Sequence, residues 1–296
     1  MRRGGALWRR MLRESAERGR SPPGGETSFG PGSAPFGARA YSHRVAIGMV
    51  GLLILCERAS GRSRAAERWL SDLRTKAAFA RVHPHAALRA FGAKPLSCAD
   101  APDLYAILLD VCARAGMKRL PELFLLPASG MNAYALGSPD DACISVTEGL
   151  LSGLSRGEVA GILAHEVAHI LHNDTGSMHW AGALQAEIAE FAAQEMAALR
   201  TRRDRSAQAG SLALLLAAAP AVASLLVLAL SRLREFAADA MALELIDDPQ
   251  ALVAALCKLE YFHSGRSPLH AHLQEDARSA SGRSHPGTWE RIANLA

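Results

Sequence analysis

The sequence predicts an α+β protein: a mostly helical domain with a small β-sheet, interrupted by an apolar helical hairpin. Three observations carry that expectation. From Ala101 onward apolar residues recur at helical spacing, short β-rich runs fall together between 122 and 146, and an uncharged stretch of about 22 residues, 209–230, splits the C-terminal half.

A chain of 296 residues, 49% hydrophobic and 21% charged, can build one substantial core with appendages and is too balanced to be disordered throughout. The formal net charge of +4 gives no surface suited to nucleic acid, so no nucleic-acid partner is expected. Cys56, Cys98, Cys112, Cys143 and Cys257 are widely spaced, form no CxxC pair and are odd in number. They indicate neither a disulfide framework nor a cysteine metal site, and they favour a reducing compartment.

Five segments are expected. Residues 1–44, rich in Arg, Gly, Ser and Pro, read as a basic disordered tail; a transit peptide is the alternative, weakened by Glu14 and Glu17. Residues 45–100 read as an apolar anchor and an amphipathic helical linker. The uncharged run 45–56 offers about 12 residues where a straight bilayer span needs about 20. Residues 101–175 and 231–296 form the two parts of the globular domain, and 176–230 a membrane-associated hairpin.

Within the domain, 104–115 has helical period, and Glu122–Leu126 reads as a strand after Pro121. Residues 132–136 and 142–146 read as two more, separated by the turn-forming Gly137-Ser138-Pro139-Asp140-Asp141. Ser155 and Glu158 form a capping box that opens a helix ending near Asn173. A second helix, 180–199, is interrupted by Glu187, Glu190 and Glu195, and 209–230 is long enough to cross a bilayer, although Pro220 lies in its middle. A buried core helix or hairpin is the competing reading of 209–230.

His165-Glu166-Val167-Ala168-His169 places two imidazoles one helical turn apart on one face, so both can reach one cation, a spacing that suits zinc. Glu166 then stands to the side, where its carboxylate can take a proton from an attacking water and pass it on. The surrounding helix is apolar, so these groups need a polar partner. A third ligand is required. His172 lies on the far side of His169 and cannot complete the set, and the extended HExxHxxGxxH pattern fails because Thr175 occupies the last ligand position. Glu235 is the expected third ligand, with Asp239 four residues on and Asp174 orienting the ligand histidines from behind. Ordinary surface or capping roles are the alternative for Asp239 and Asp174.

The chain resembles the HtpX-type membrane zinc endopeptidases, relatives of prenyl-protein-processing proteases and of mitochondrial quality-control proteases. The resemblance spans about 101–295 and rests on ordered motifs: NAYALGS at 132–138, VTEGLL at 146–151, HEVAHILHND at 165–174, SRLREFAAD at 231–239 and SHPGTWERIANL at 284–295. It implies a zincin-like gluzincin fold, one Zn2+ per chain, polypeptide substrates and membrane lipid as partners. It also implies an edge strand at Asn132, Ala133 and Tyr134 along which extended substrate adds, with Arg232 and His285 as oxyanion or substrate contacts; packing or ion pairing is the alternative for those two. The implied location is the bacterial inner membrane with the catalytic domain on the cytoplasmic side, or else the mitochondrial inner membrane. Nothing in the sequence addresses oligomeric state.

The family carries two spanning helices between the motif and the glutamate, whereas the first of the pair here holds three glutamates. Ligands that meet at one ion require an even number of crossings between them. Both stretches can insert as a hairpin with the glutamates against protein, or 209–230 can turn back near Pro220 or lie outside the bilayer. Two other functions compete with proteolysis: a metal-bound scaffold that binds extended segments without cutting them, and an enzyme acting on a non-peptide substrate.

Overall fold

A computed structural model gives the architecture of residues 36–61, 83–202, 206–264 and 287–295. Residues 1–35 of the expected basic tail, residues 62–82 of the expected linker and His285 lie outside the described residues. Helix α1 (Phe36–Ala59) contains the apolar run but starts nine residues before it, so residues 36–44, expected to close a disordered tail, are helical. The sequence from 36 to 47 contains one glycine and no proline, so a helix nucleated by the apolar run extends backward at little cost.

The remaining elements are α2 (Pro84–Ala90), β1 (Lys94–Pro95), α3 (Pro102–Arg114), β2 (Glu122–Leu126), β3 (Ala133–Ser138), β4 (Asp141–Thr147), α4 (Glu148–Gly153), α5 (Arg156–His172), α6 (Asp174–Arg202), α7 (Ala207–Leu245), α8 (Pro249–Ser264) and α9 (Thr288–Leu295). The four strands lie in the order β1-β2-β4-β3. β2 runs parallel to β4, with Leu123 opposite Ile144, while β3 is antiparallel to β4, with Ala135 opposite Ile144. Gly137 makes the β3–β4 hairpin possible: its φ is 98°, and a Cβ there would collide with the Asp141 carbonyl.

Strand alternation divides the sheet's contacts. Leu123, Ile144 and Val146 join the main core with Leu108 and Val111 of α3 and Ile162, Leu163, Val167 and Ile170 of α5. Phe124 and Cys143 face the opposite way, onto Leu88 of α2. β3 is therefore an edge strand lying beside α5, and among the described residues no further strand pairs with its outer side.

Helix α5 begins with the expected capping box. The Ser155 hydroxyl accepts from the Glu158 amide, and the Glu158 carboxylate accepts from the Ser155 amide at 2.6 Å. It ends at Asn173, which adopts the left-handed conformation (φ 54°) that Asn tolerates better than most residues. Because α6 starts at the next residue, this single left-handed position makes an elbow that turns Asp174 back toward the last turn of α5.

The hairpin consists of α6 and α7. At about 1.5 Å per residue, Asp174 to Arg202 carries the chain about 42 Å away, and Ala207 to Glu235 brings it back about 42 Å. Glu235 thus returns to the level at which α6 left the domain. α7 is one helix of 39 residues that continues through Pro220, so the chain does not turn back there. Only the proline's own amide bond to the preceding turn is lost, and packing of Leu216, Ala219 and Ala223 among α1 and α6 holds the helix on both sides. The three glutamates of α6 differ: Glu195 is buried, Glu187 half-buried and Glu190 exposed, so they are not all packed against protein. Among the described residues α7 is the one helix long and apolar enough to cross a membrane, and only 17% of its most apolar stretch is buried. Leu214, Val222 and Leu225 on α7 and Ile47 and Leu55 on α1 are exposed.

Candidate metal centre

Helix α5 supplies His165 and His169, and the C-terminal part of α7 supplies Glu235. Gly161, one turn before His165, lets α5 approach α8 closely, since a Cβ there would lie 3.0 Å from the Leu252 Cα. The ring centroids of His165 and His169 are 4.5 Å apart and nearly perpendicular. Their Nε2 atoms are 3.0 Å apart, and the Glu235 carboxylate places Oε2 3.6 Å from that of His165 and Oε1 3.6 Å from that of His169. His165, Glu166, Glu235 and Asp239 are all buried, and His172, also buried, lies outside the group of three that can share an ion.

The tautomers follow from the outer contacts. His165 Nδ1 lies 2.9 Å from Asp239 Oδ1, and His169 Nδ1 lies 2.6 Å from Asp174 Oδ2. An ionised carboxylate only accepts, so each Nδ1 carries a proton and each Nε2 points inward, where it can offer its lone pair. The two Nε2 atoms face each other at 3.0 Å with a carboxylate beside them, and either a proton on one of them or a cation bound to both satisfies the set. Burial and the Arg291 cation oppose charge on His165, but its hydrogen bonds to Asp239 and Glu235 outweigh them and raise its pKa. Burial and the charge on His165 lower that of His169. A divalent ion is the other way to satisfy the pair: ligand bonds of about 2.1 Å in a tetrahedron hold donor atoms about 3.4 Å apart, and the three separations lie on either side of that value.

Two arginines brace the centre. Arg291 of α9 forks onto Asp239, Nε donating to Oδ2 at 2.7 Å and Nη2 to Oδ1 at 2.6 Å, and it lies 3.4 Å from Glu235 Oε2. Sequence reasoning assigned Arg291 no role. Its one signal was membership of the SHPGTWERIANL motif, because its partners are 52 and 126 residues away. Arg234 pairs with Asp174 and donates to the His172 carbonyl at 2.7 Å. Arg232, a candidate oxyanion contact with ion pairing as its alternative, pairs with Glu290 at 2.6 Å. Asn132, Ala133 and Tyr134 lie at the start of the edge strand, where the Asn132 amide nitrogen donates to the Tyr134 hydroxyl at 2.5 Å and Tyr134 is exposed.

Residues 99–296 match peptidase family M48. The chain belongs to that family. As an M48 member it is a metallopeptidase, a hydrolase of peptide bonds. It is similar to the protease HtpX homolog of Campylobacter curvus, 36% identical over 231 residues that cover 70% of this chain and 78% of the relative. Similarity to the homolog of Nostoc punctiforme is 35% identity over 71% of this chain and 78% of that protein, and to that of Acaryochloris marina 40% over 59% and 61%. The crystal structure of S. mikatae Ste24p covers 90% of this chain and 66% of its own at 19% identity, with a TM-score of 0.48.

Proposed function

We propose that this M48 peptidase is a zinc-dependent endopeptidase acting at a membrane on membrane-associated or misfolded polypeptides. His165, His169 and Glu235 hold one zinc ion per chain, and Glu166 is the general base. The observation that carries the reading is the convergence of two Nε2 lone pairs and a carboxylate from helices that meet only in the folded chain. Zinc in such a site supplies Lewis acidity and lowers the pKa of water toward neutrality. Glu166, buried beside the ligands, takes a proton from the attacking water on its carboxylate and delivers it to the departing amide nitrogen. Asp239 and Asp174 keep the histidine protons on Nδ1 throughout.

The outer edge of β3, on which no strand pairs among the described residues, can offer backbone groups to an extended substrate at Asn132, Ala133 and Tyr134. Strand addition recognises main chain more than side chains, which fits a broad range of polypeptides. The apolar half of α7 runs without a break into the turn bearing Glu235, so the centre lies close to the lipid surface that α7 and α1 present. We place the enzyme in the bacterial inner membrane, with the catalytic domain on the cytoplasmic side. Casein cleavage by the purified chain tests the reading against a non-cutting scaffold and a non-peptide hydrolase. The wild type is expected to cut, and Glu166→Gln to lose cleavage while retaining zinc; equal activity in that variant would remove Glu166 from the chemistry.

A further inference from the structure

We infer that Arg234 is a positioning residue for the metal centre, acting through Asp174 to fix the orientation and tautomer of His169. The inference rests on the proposal that His165, His169 and Glu235 hold a divalent ion. Arg234 is buried, its side chain 7% exposed, and it pairs with Asp174 Oδ1. The other oxygen of the same carboxylate takes the His169 Nδ1 proton at 2.6 Å. Guanidinium, carboxylate and imidazole therefore form one chain of charge-assisted contacts ending at a ligand atom.

Asp174 depends on that arrangement. Its side chain is 8% exposed, and a carboxylate so buried is held in place by the partners on its two oxygens. Asp174 is also the first residue after the left-handed Asn173, where the chain bends between α5 and α6. Arg234 crosses this elbow: its Nη2 donates to the His172 carbonyl at 2.7 Å, in the last turn of α5. One turn of α7 therefore performs two tasks. Glu235 goes to the ion directly, while its neighbour Arg234 sets the carboxylate that orients the opposite ligand. A residue serving only to cap α5 would need the His172 contact alone.

Metal binding by the full chain in detergent separates these roles. Zinc affinity is read by competition with a chromophoric chelator, and ligand geometry by the visible spectrum of the cobalt-substituted protein. Arg234→Met and Asp174→Asn are each expected to weaken zinc binding roughly tenfold and to alter the cobalt spectrum, with Arg234→Lys in between. In the Asp174→Asn background, Arg234→Met is expected to add less than about twofold, because both changes cut the same chain of contacts. Wild-type affinity in both Arg234 variants, or a full tenfold further loss in the double variant, would overturn the inference. If Arg234→Met does not fold, Arg234→Lys carries the same comparison. A wild-type protein that binds neither metal would instead overturn the proposed centre itself, an outcome distinct from variants that bind as tightly as the wild type.

Discussion

Replacing Arg291 with methionine removes a guanidinium from two hydrogen bonds of 2.6 and 2.7 Å to Asp239. The pair is almost dry, with side chains 13% and 2% exposed. Breaking a buried pair by deleting one partner costs about 3–5 kcal/mol, because the other charge is stranded. Asp239 keeps its contact to His165 Nδ1 at 2.9 Å, which places the cost at the lower end, about 3 kcal/mol. For a protein near this size, each kcal/mol lowers Tm by about 2–4 °C, so a fall of roughly 6–12 °C is expected. Thermal unfolding in detergent at fixed zinc concentration, followed by far-UV circular dichroism, measures it. Adding Asp239→Asn removes the stranded charge, so the double variant is expected to be more stable than the sum of the singles by at least about 1 kcal/mol. A Tm change under about 2 °C, or strict additivity, would refute the claim that Arg291 neutralises Asp239.

Two further changes probe how α5 is held. Gly161→Val sets a branched side chain against the Leu252 backbone, where a Cβ alone would already lie 3.0 Å from Cα, and is expected to cost about 1–3 kcal/mol in a denaturant titration; an unchanged midpoint would mean that α5 and α8 are not in close contact. Burial pushes the Glu158 carboxyl up, but Lys258 and the Ser155 amide and hydroxyl outweigh it and hold its pKa below the usual carboxylate value. That stabilisation is present above the unfolded pKa of about 4.3 and disappears as pH falls through the lower folded value, so Glu158→Gln should flatten the acid side of the stability–pH curve. Parallel curves for variant and wild type would contradict the pairing.

Chemistry that resides within one turn of chain was legible in the sequence. The spacing of His165 and His169, the Ser155–Glu158 capping box and the bounds of β2 depend on local period and local hydrogen bonding. β3 and β4 begin and end within two residues of the expected runs. That Glu235 would lie beside the two histidines was reachable because Asp239 shares its helix face and the flanking motif narrowed the choice. What escaped was tertiary. β1 has two residues, one of them Pro95, and so shows no alternation. Arg291 contributes only through partners distant in sequence, and Arg232 faces Glu290 because α9 docks beside α7. Pro220 suggested a possible break, yet helices packed around α7 keep it continuous, a case of context overriding propensity.

Elemental analysis of the purified full chain tests the central claim most directly. One zinc per chain is expected in the wild type and in Glu166→Gln, with loss of the metal in His165→Ala, His169→Ala and Glu235→Ala variants that remain folded. Undiminished zinc in Glu235→Ala, or no zinc in a folded wild-type protein supplied with the metal, would contradict it.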